Sequence, residues 1–295
     1  IALYGLAYWQ ELQPTRLPED TYRELQLLAR QYYQMTSMLI KAKVDFNAIC
    51  DQVLPGMQEL MNDHAGRHKL SDFVLRYHHT THILEMGETR FRKDYCKWAE
   101  KKGYRNCERM AALIFATAQN GIPVLPNAPS TQIVITEAIR VLHTVEASRD
   151  AILTQMQALA KTLPEYSLVR EMPCIGDTLA PRLIAEIGDV RRFHSKRALI
   201  AYAGIDAPPY QSGKFCANNR HISKRGNRYL RKTGYEVMQS YVMHKPANDP
   251  IFTFIEKKRN EGKSGKLAMV AGLNKFLRVY YGKVTGLYRS LPAIE

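Results

Sequence analysis

Three things are scarce in this sequence, and each scarcity argues against a class of protein. The five cysteines are scattered, with no CxxC pair, which argues against a disulfide framework or a zinc ribbon and fits a reducing cytoplasm. No apolar run reaches the roughly 20 residues that a membrane-spanning helix needs. Acidic side chains are scarce in the last part of the chain, because residues 181–295 hold 8 of them beside 22 basic ones.

The formal charge of +14 therefore lies in that last part, since residues 1–180 carry 20 basic and 20 acidic side chains. The excess is densest over residues 190–232, where 11 Lys and Arg accompany a single acid, Asp206. Clustered Lys and Arg are the electrostatic pattern of phosphate-backbone binding. The composition favours a nucleic acid as the partner, and a solvated basic surface is the plainer alternative. A membrane surface ranks last, because the apolar side of the basic helix is predicted to be core.

Helical periodicity dominates the first 165 residues. Apolar stripes predict one long helix from about residue 19 to residue 54 and another from residue 131 to residue 163. Short helices are predicted between them. Helices this long need a partner for their apolar faces, so we expect an antiparallel coiled-coil hairpin with a helical insertion over residues 19–165. The predicted fold class is mostly α, with an all-α C-terminal domain over residues 166–291.

Residues 172–188 resemble a helix-hairpin-helix turn and read MPCIGDTLAPRLIAEIG. Gly176 lies in a tight turn that opens a helix, and Gly188 ends that helix. Such a turn aims backbone N–H groups at a phosphate oxygen, and the helix dipole adds to the attraction. The usual form has Gly where this chain has Cys174, and an ordinary helical hairpin is the alternative.

A long polar segment, residues 204–226, is predicted to form an irregular loop or a short β-hairpin. The helix that follows has an apolar stripe for the core and a cationic opposite face. A helix of this kind suits docking on a nucleic-acid backbone, and solvation of the basic face is the alternative. The predicted nucleic-acid-binding residues are Gly176, Lys214, Arg220, Lys224, Arg225, Arg228, Arg231 and Lys232.

Ser212, followed by Gly213, is chemically suited to nucleophilic attack. A small, unhindered hydroxyl near cations could attack a phosphodiester, with the cations stabilising the oxyanion. Spacing alone supports this weakly, because Ser-Gly is a common loop dipeptide. His221 is a candidate general base by proximity in sequence only.

Several histidines crowd one stretch, and two pairs have the four-residue spacing of a helix face. The pairs are His64 with His68 and His78 with His82. No cysteine or acidic residue completes a ligand set beside either pair, so no metal site is predicted.

A resemblance to a known family rests on MPCIGDTLAPRLIAEIGDVRRFHSKRALIAYAGIDAPPYQSGK, then ISKRGNRYLRKTGY and GKSGKLAMVAGLNKFLRVYYGKV. These blocks resemble the C-terminal domain of transposases of the insertion-sequence one-ten group, which includes the Piv invertase and the bridge-RNA-guided recombinases. The resemblance covers about residues 165–291. It implies that Ser212, beside Gly213, attacks a DNA phosphodiester and forms a covalent intermediate.

The resemblance also implies partners and a location. These are DNA, a structured guide RNA, further copies of the chain in a dimer or tetramer, and the bacterial cytoplasm near the nucleoid.

In that family an N-terminal RuvC-like domain supplies four acidic residues for a divalent metal, expected to be Mg²⁺. Residues 1–9, IALYGLAYW, resemble the helix after the last two of those aspartates. We therefore expect residues 1–18 to be a remnant of that domain, and the acidic quartet with its metal to be missing. On this view the chain holds no cofactor and is inactive alone. The alternatives are a non-catalytic helix-hairpin-helix nucleic-acid-binding protein and an inactive transposase remnant.

Overall fold

The computed structural model of the chain describes residues 20–63, 68–207, 211–212, 215–216 and 221–291. Within these ranges the protein is mostly α-helical, which confirms the predicted fold class. The expected remnant at residues 1–18 lies outside the described residues. Among the helices that are described, none combines the length and the apolar character needed to cross a membrane.

The helices follow one another with short connections. The first half contains α1 (Asp20–Val53), α2 (Met57–Leu60), α3 (Lys69–Tyr77), α4 (Thr80–Met86), α5 (Glu88–Lys101), α6 (Cys107–Asn120) and α7 (Pro129–Ala160). The second half contains α8 (Tyr166–Arg170), α9 (Leu179–Ile187), a 3₁₀ turn (Val190–Arg192), α10 (Lys196–Ala203), α11 (Arg228–His244), α12 (Pro250–Asn260) and α13 (Gly265–Ser290). Between α10 and α11, β1 (Gln211–Ser212) pairs antiparallel with β2 (Phe215–Cys216).

The described residues form two compact units, each with its own core. The central unit comprises residues 33–150, and the terminal unit comprises residues 20–32 together with the chain after residue 150. The first turns of α1 and the last turns of α7 belong to the terminal unit, because their apolar side chains are buried in the same core as α9 to α13. The domain boundaries at residues 18/19 and 165/166, and the antiparallel hairpin, stay predictions.

The core of the central unit is built around aromatic rings on α3 and α5. Phe73, Tyr77, Tyr95 and Trp98 form one cluster of rings. Neighbouring ring centroids in it lie 4.8–6.3 Å apart, a spacing at which aromatic contacts are favourable. The Tyr77 hydroxyl donates to the Asp94 carboxylate at 2.8 Å, which satisfies the polar end of a buried ring.

The terminal unit is closed by a carboxylate shared between two tyrosines. Glu165 accepts hydrogen bonds from the hydroxyls of Tyr22 and Tyr288 at 2.7 and 2.5 Å. The Arg191 guanidinium lies 4.5 Å from the centre of the Tyr288 ring. These contacts join α1 and α13 to the connection between α7 and α8. They bring the two ends of the described chain onto one core.

Candidate nucleic-acid interface

The predicted helix-hairpin-helix turn lies between α8 and α9. Cys174, which stands where the usual motif has Gly, has a φ of 62°. That value lies in the left-handed region that side chains other than Gly rarely adopt, so the backbone takes the glycine-like shape in spite of the side chain. Gly176 is exposed, and a Cβ added to it would meet no atom within 4 Å. The backbone of the turn is therefore open to a ligand.

The turn also carries unused donors. Among the described residues, the backbone N–H groups of Gly176, Asp177 and Thr178 have no hydrogen-bond acceptor. They immediately precede α9, so they add to the positive end of its dipole. The Asp177 carboxylate would oppose an anion here, but Arg170 hydrogen-bonds it and holds its pKa below the ordinary value. This pairing offsets the negative charge of the turn.

The Ser-Gly loop leaves and re-enters the fold through a narrow neck. Three backbone hydrogen bonds join residues 202–206 to residues 223–227, with N···O distances of 2.6–3.0 Å. The Ser223 hydroxyl adds a bond to the Asp206 carboxylate at 2.5 Å. Asp206, the single acid of residues 190–232, thus accepts hydrogen bonds that hold the base of the loop together.

Two glycines, Gly204 and Gly226, allow the two chain segments of this neck to lie in contact. A Cβ added to Gly226 would lie 2.1 Å from the carbonyl oxygen of Tyr202 and 2.5 Å from the nitrogen of Gly204, so no larger residue fits. Arg231 closes the neck from α11, with Nη1 donating to the carbonyl oxygens of Ala203 and Gly226 at 3.0 Å each. Arg231, which the sequence predicts to contact phosphate, therefore also holds the two sides of the neck together.

Asn227 joins the basic helix, α11, to α9. Its Oδ1 accepts from two backbone N–H groups in the first turn of α11, at 2.8 and 3.1 Å, which makes it an N-cap. Its Nδ2 donates at 2.7 Å to Oε2 of Glu186 on α9. Burial raises the pKa of Glu186, whereas the Asn227 hydrogen bond and nearby Arg30 and Arg182 lower it.

Neither member of this pair was predicted from the sequence. A capping residue directly before a helix is a recognisable signal for Asn227. Nothing local in the sequence marks Glu186 as its partner.

Four predicted cations lie exposed at the start of α11: Lys224, Arg225, Arg228 and Lys232. Within the described part of the chain, no carboxylate pairs with Lys224, Arg225 or Arg228. The Arg228 guanidinium lies 4.8 Å from the centre of the Tyr229 ring and donates to its hydroxyl at 2.8 Å. Cations without a paired carboxylate, as at Lys224, Arg225 and Arg228, suit contact with phosphates.

The predicted nucleophile lies at the end of the first of the two short strands in the Ser-Gly loop. Ser212 is the last residue of β1 and pairs with Phe215 of β2. Its side chain, and the predicted residues Gly213, Lys214 and Arg220, lie outside what the structure describes. Their roles stay predictions. His221, the candidate base, is exposed where the chain returns to the neck.

The turn and the start of α11 together give a helical domain a cationic surface rich in hydrogen-bond donors, which suits contact with a polyanion. Similarity to a known family makes this inference more specific, because residues 166–251 match the family described as Transposase IS116/IS110/IS902 family. The matched range contains the turn, the neck and α11.

Individual relatives agree with the family match. A protein of insertion element IS110 from Streptomyces coelicolor is 21% identical over 88% of this chain and 62% of its own length. The pilin gene-inverting protein of Moraxella bovis is 27% identical over 44% of this chain and 41% of its own length. The transposase for insertion sequence element IS1111A of Coxiella burnetii is 33% identical over 26% of this chain and 21% of its own length. The chain thus covers less than two thirds of these relatives.

Proposed function

We propose that this chain acts on DNA as the transposase or site-specific recombinase of a mobile insertion sequence. The observation that carries the proposal is that the family match and the candidate interface cover the same residues. The range that matches a transposase family also contains the exposed turn, the neck of the Ser-Gly loop and the exposed cations Lys224, Arg225 and Arg228 at the start of α11. Relatives named as a transposase and as a gene-inverting protein support the same reaction class.

In the proposed reaction the Ser212 hydroxyl attacks a DNA phosphodiester. A bond forms between Oγ and phosphorus, the bond from phosphorus to one deoxyribose oxygen breaks, and that oxygen leaves with a proton. The DNA end stays attached to the protein as a phosphoserine ester, through a 5′ or a 3′ linkage. The hydrogen bonds of the neck fix both ends of the Ser-Gly loop, which favours a reproducible position of the Ser212 hydroxyl. His221 is the candidate to take the serine proton.

The family resemblance adds partners to the proposal. We propose DNA as the substrate, a structured guide RNA that selects the sites, and a dimer or tetramer that holds two DNA segments together.

A family-type magnesium site does not fit the described residues. They contain one group of three side chains with metal-ligand geometry, Asp63, His68 and His143, which is not a set of four carboxylates. In the proposed cleavage the chemical roles therefore belong to Ser212 and His221.

Removal of the serine hydroxyl tests the nucleophile. The complete gene product would be incubated with a DNA substrate that traps the covalent intermediate, and adducts would be counted by gel mobility after denaturation. We expect Ser212→Ala to abolish the adduct and Ser290→Ala, at an exposed serine of α13, to retain it. An undiminished adduct in Ser212→Ala would rule out this nucleophile. If neither parent nor variants form one while DNA binding persists, the non-catalytic binding function is the correct one.

Charge reversal on α11 tests the binding surface. Arg228→Glu should weaken DNA binding and reduce the slope of log K against log salt by about 1, because one phosphate contact is lost. Arg90→Glu makes the same charge change at an exposed residue of the central unit and should leave the slope unchanged. Equal effects of the two variants would mean that only net charge matters.

A further inference from the structure

The fold of the central unit gathers two histidines and a carboxylate from distant parts of the chain. Asp63 follows α2, His68 precedes α3, and His143 lies on α7. One ligand-capable atom of each residue lies within 4.8 Å of those of the other two. The imidazole rings of His68 and His143 are 4.2 Å apart between centroids. This set differs from the two histidine pairs, each spaced four residues apart, that stand out in the sequence.

Two of the other histidines of that stretch, His79 and His82, have structural roles. The ring of His79 is buried and hydrogen-bonds the Thr81 hydroxyl and the carbonyl oxygen of Leu125, both at 2.9 Å. The Nδ1 of His82 lies 3.1 Å from the carbonyl oxygen of Tyr77. His64 lies outside the described residues. His68 is thus the one member of the predicted pairs that the described structure leaves in a ligand cluster.

One oxygen of the Asp63 carboxylate lacks a partner. Oδ1 accepts from the backbone N–H groups of Leu70 and Ser71 at 2.7 and 3.2 Å, which fixes the carboxylate against the first turn of α3. Oδ2 is buried, and no hydrogen-bond partner reaches it within the described residues. A buried carboxylate oxygen without a partner is unfavourable, and a bound cation would satisfy it.

The hydrogen bonds around His143 leave one ring nitrogen available. The Ser71 hydroxyl donates to the carbonyl oxygen of His68 at 3.3 Å and lies 3.1 Å from Nε2 of His143. In the tautomer that carries its proton on Nε2, the His143 ring donates to the Ser71 hydroxyl. The Nδ1 of His143 then keeps its lone pair. Metal-bound histidines commonly donate their other N–H to such a partner.

A second carboxylate borders the cluster. Oε2 of Glu146 lies 3.7 Å from Nδ1 of His68, and its Oε1 lies 3.7 Å from Arg149. Glu146 is nearly buried, so its charge is poorly screened by water. It adds to the negative potential that a cation would meet beside the two imidazoles.

We propose that Asp63, His68 and His143 bind one transition-metal dication of the zinc class. Two imidazoles with a carboxylate favour Zn²⁺ over Mg²⁺, which prefers oxygen ligands. Bond lengths of about 2.0–2.2 Å require ligand atoms roughly 3.5 Å apart, so ligand atoms that now lie within 4.8 Å of one another approach by at most about 1.3 Å on binding. The metal would fasten the connection between α2 and α3 to α7, which is a structural role separate from DNA cleavage.

Metal titration of the complete chain tests the site. Protein stripped with a chelator would be titrated with Zn²⁺ against a competing indicator, and bound metal would be counted by elemental analysis. We expect one Zn²⁺ per chain, a cobalt derivative whose spectrum shows nitrogen and oxygen ligands, and a melting temperature roughly 5–10 °C higher at a hundredfold excess over Kd. Less than one metal per chain, or a cobalt spectrum with sulfur ligands, would overturn the proposal.

Variants separate this site from chance binding. Asp63→Asn keeps the oxygen that accepts from the start of α3 but removes the charge, so the chain should fold and bind Zn²⁺ at least tenfold more weakly. His143→Ala should lose the binding. His194→Ala, at an exposed histidine of the terminal unit, is the matched control and should bind like the parent. Unchanged affinity in Asp63→Asn would overturn the proposed site even if His143→Ala failed to fold.

Discussion

Substitution of Asn227 by Ala removes two interactions at the junction between α9 and α11. Loss of the N-cap costs about 1 kcal/mol. Loss of the Nδ2 donor leaves the fully buried Glu186 carboxylate with one hydrogen bond fewer, which costs about 1–3 kcal/mol. The expected destabilisation at neutral pH is therefore about 2–4 kcal/mol, equivalent to a melting temperature lower by roughly 5–15 °C.

The pH dependence identifies the Glu186 contribution. Burial raises the pKa of Glu186 above its usual 4.5, and removal of the Asn227 hydrogen bond, which lowers it, raises it further. A raised pKa in the folded state means that folding favours the protonated form, so stability falls as the pH rises through that pKa. The deficit of Asn227→Ala relative to the parent should therefore be smaller at pH 5 than at pH 8.

Urea unfolding followed by far-ultraviolet circular dichroism at both pH values measures the deficit. Asn274→Ala is the control, because Asn274 accepts an exposed bond from Arg278 at 2.9 Å within α13, and its loss should cost a few tenths of a kcal/mol. A deficit below 1 kcal/mol at pH 8 would refute the assigned role of Asn227. An equal deficit at both pH values would show that Glu186 does not depend on it.

The neck provides two further predictions. Gly226→Ala places a methyl group against fixed backbone atoms and should cost about 3 kcal/mol in urea unfolding, whereas Gly282→Ala, with open space on a helix, should stabilise by roughly 0.5–1 kcal/mol. A tolerated Gly226→Ala would contradict the close crossing. Arg231→Ala should cost about 2 kcal/mol by the same assay because two carbonyls lose a charged donor, and Arg228→Ala should stay within about 0.5 kcal/mol. Similar losses at both arginines would remove the distinction between them.

Much of the fold was accessible from sequence because helices are specified locally. Apolar periodicity located α1 and α7 to within a few residues, and Gly and Pro marked their ends. The uneven charge was also visible, as was the turn at Gly176. The glycine-like conformation at Cys174 was not accessible in this way, because a backbone angle is decided by the packing of the helices on either side.

The sequence by itself determined that the chain is helical, that its positive charge follows residue 180 and that a turn at Gly176 precedes α9 and the basic helix. The tertiary structure decided which of those charges remain unneutralised, because pairing depends on what folds nearby and not on a count. It made Arg231 part of the neck and left Arg228 on the surface. It also joined Asp63 to His143, since helices far apart in the chain bury their faces in one core, and no local pattern records which polar groups that burial brings together.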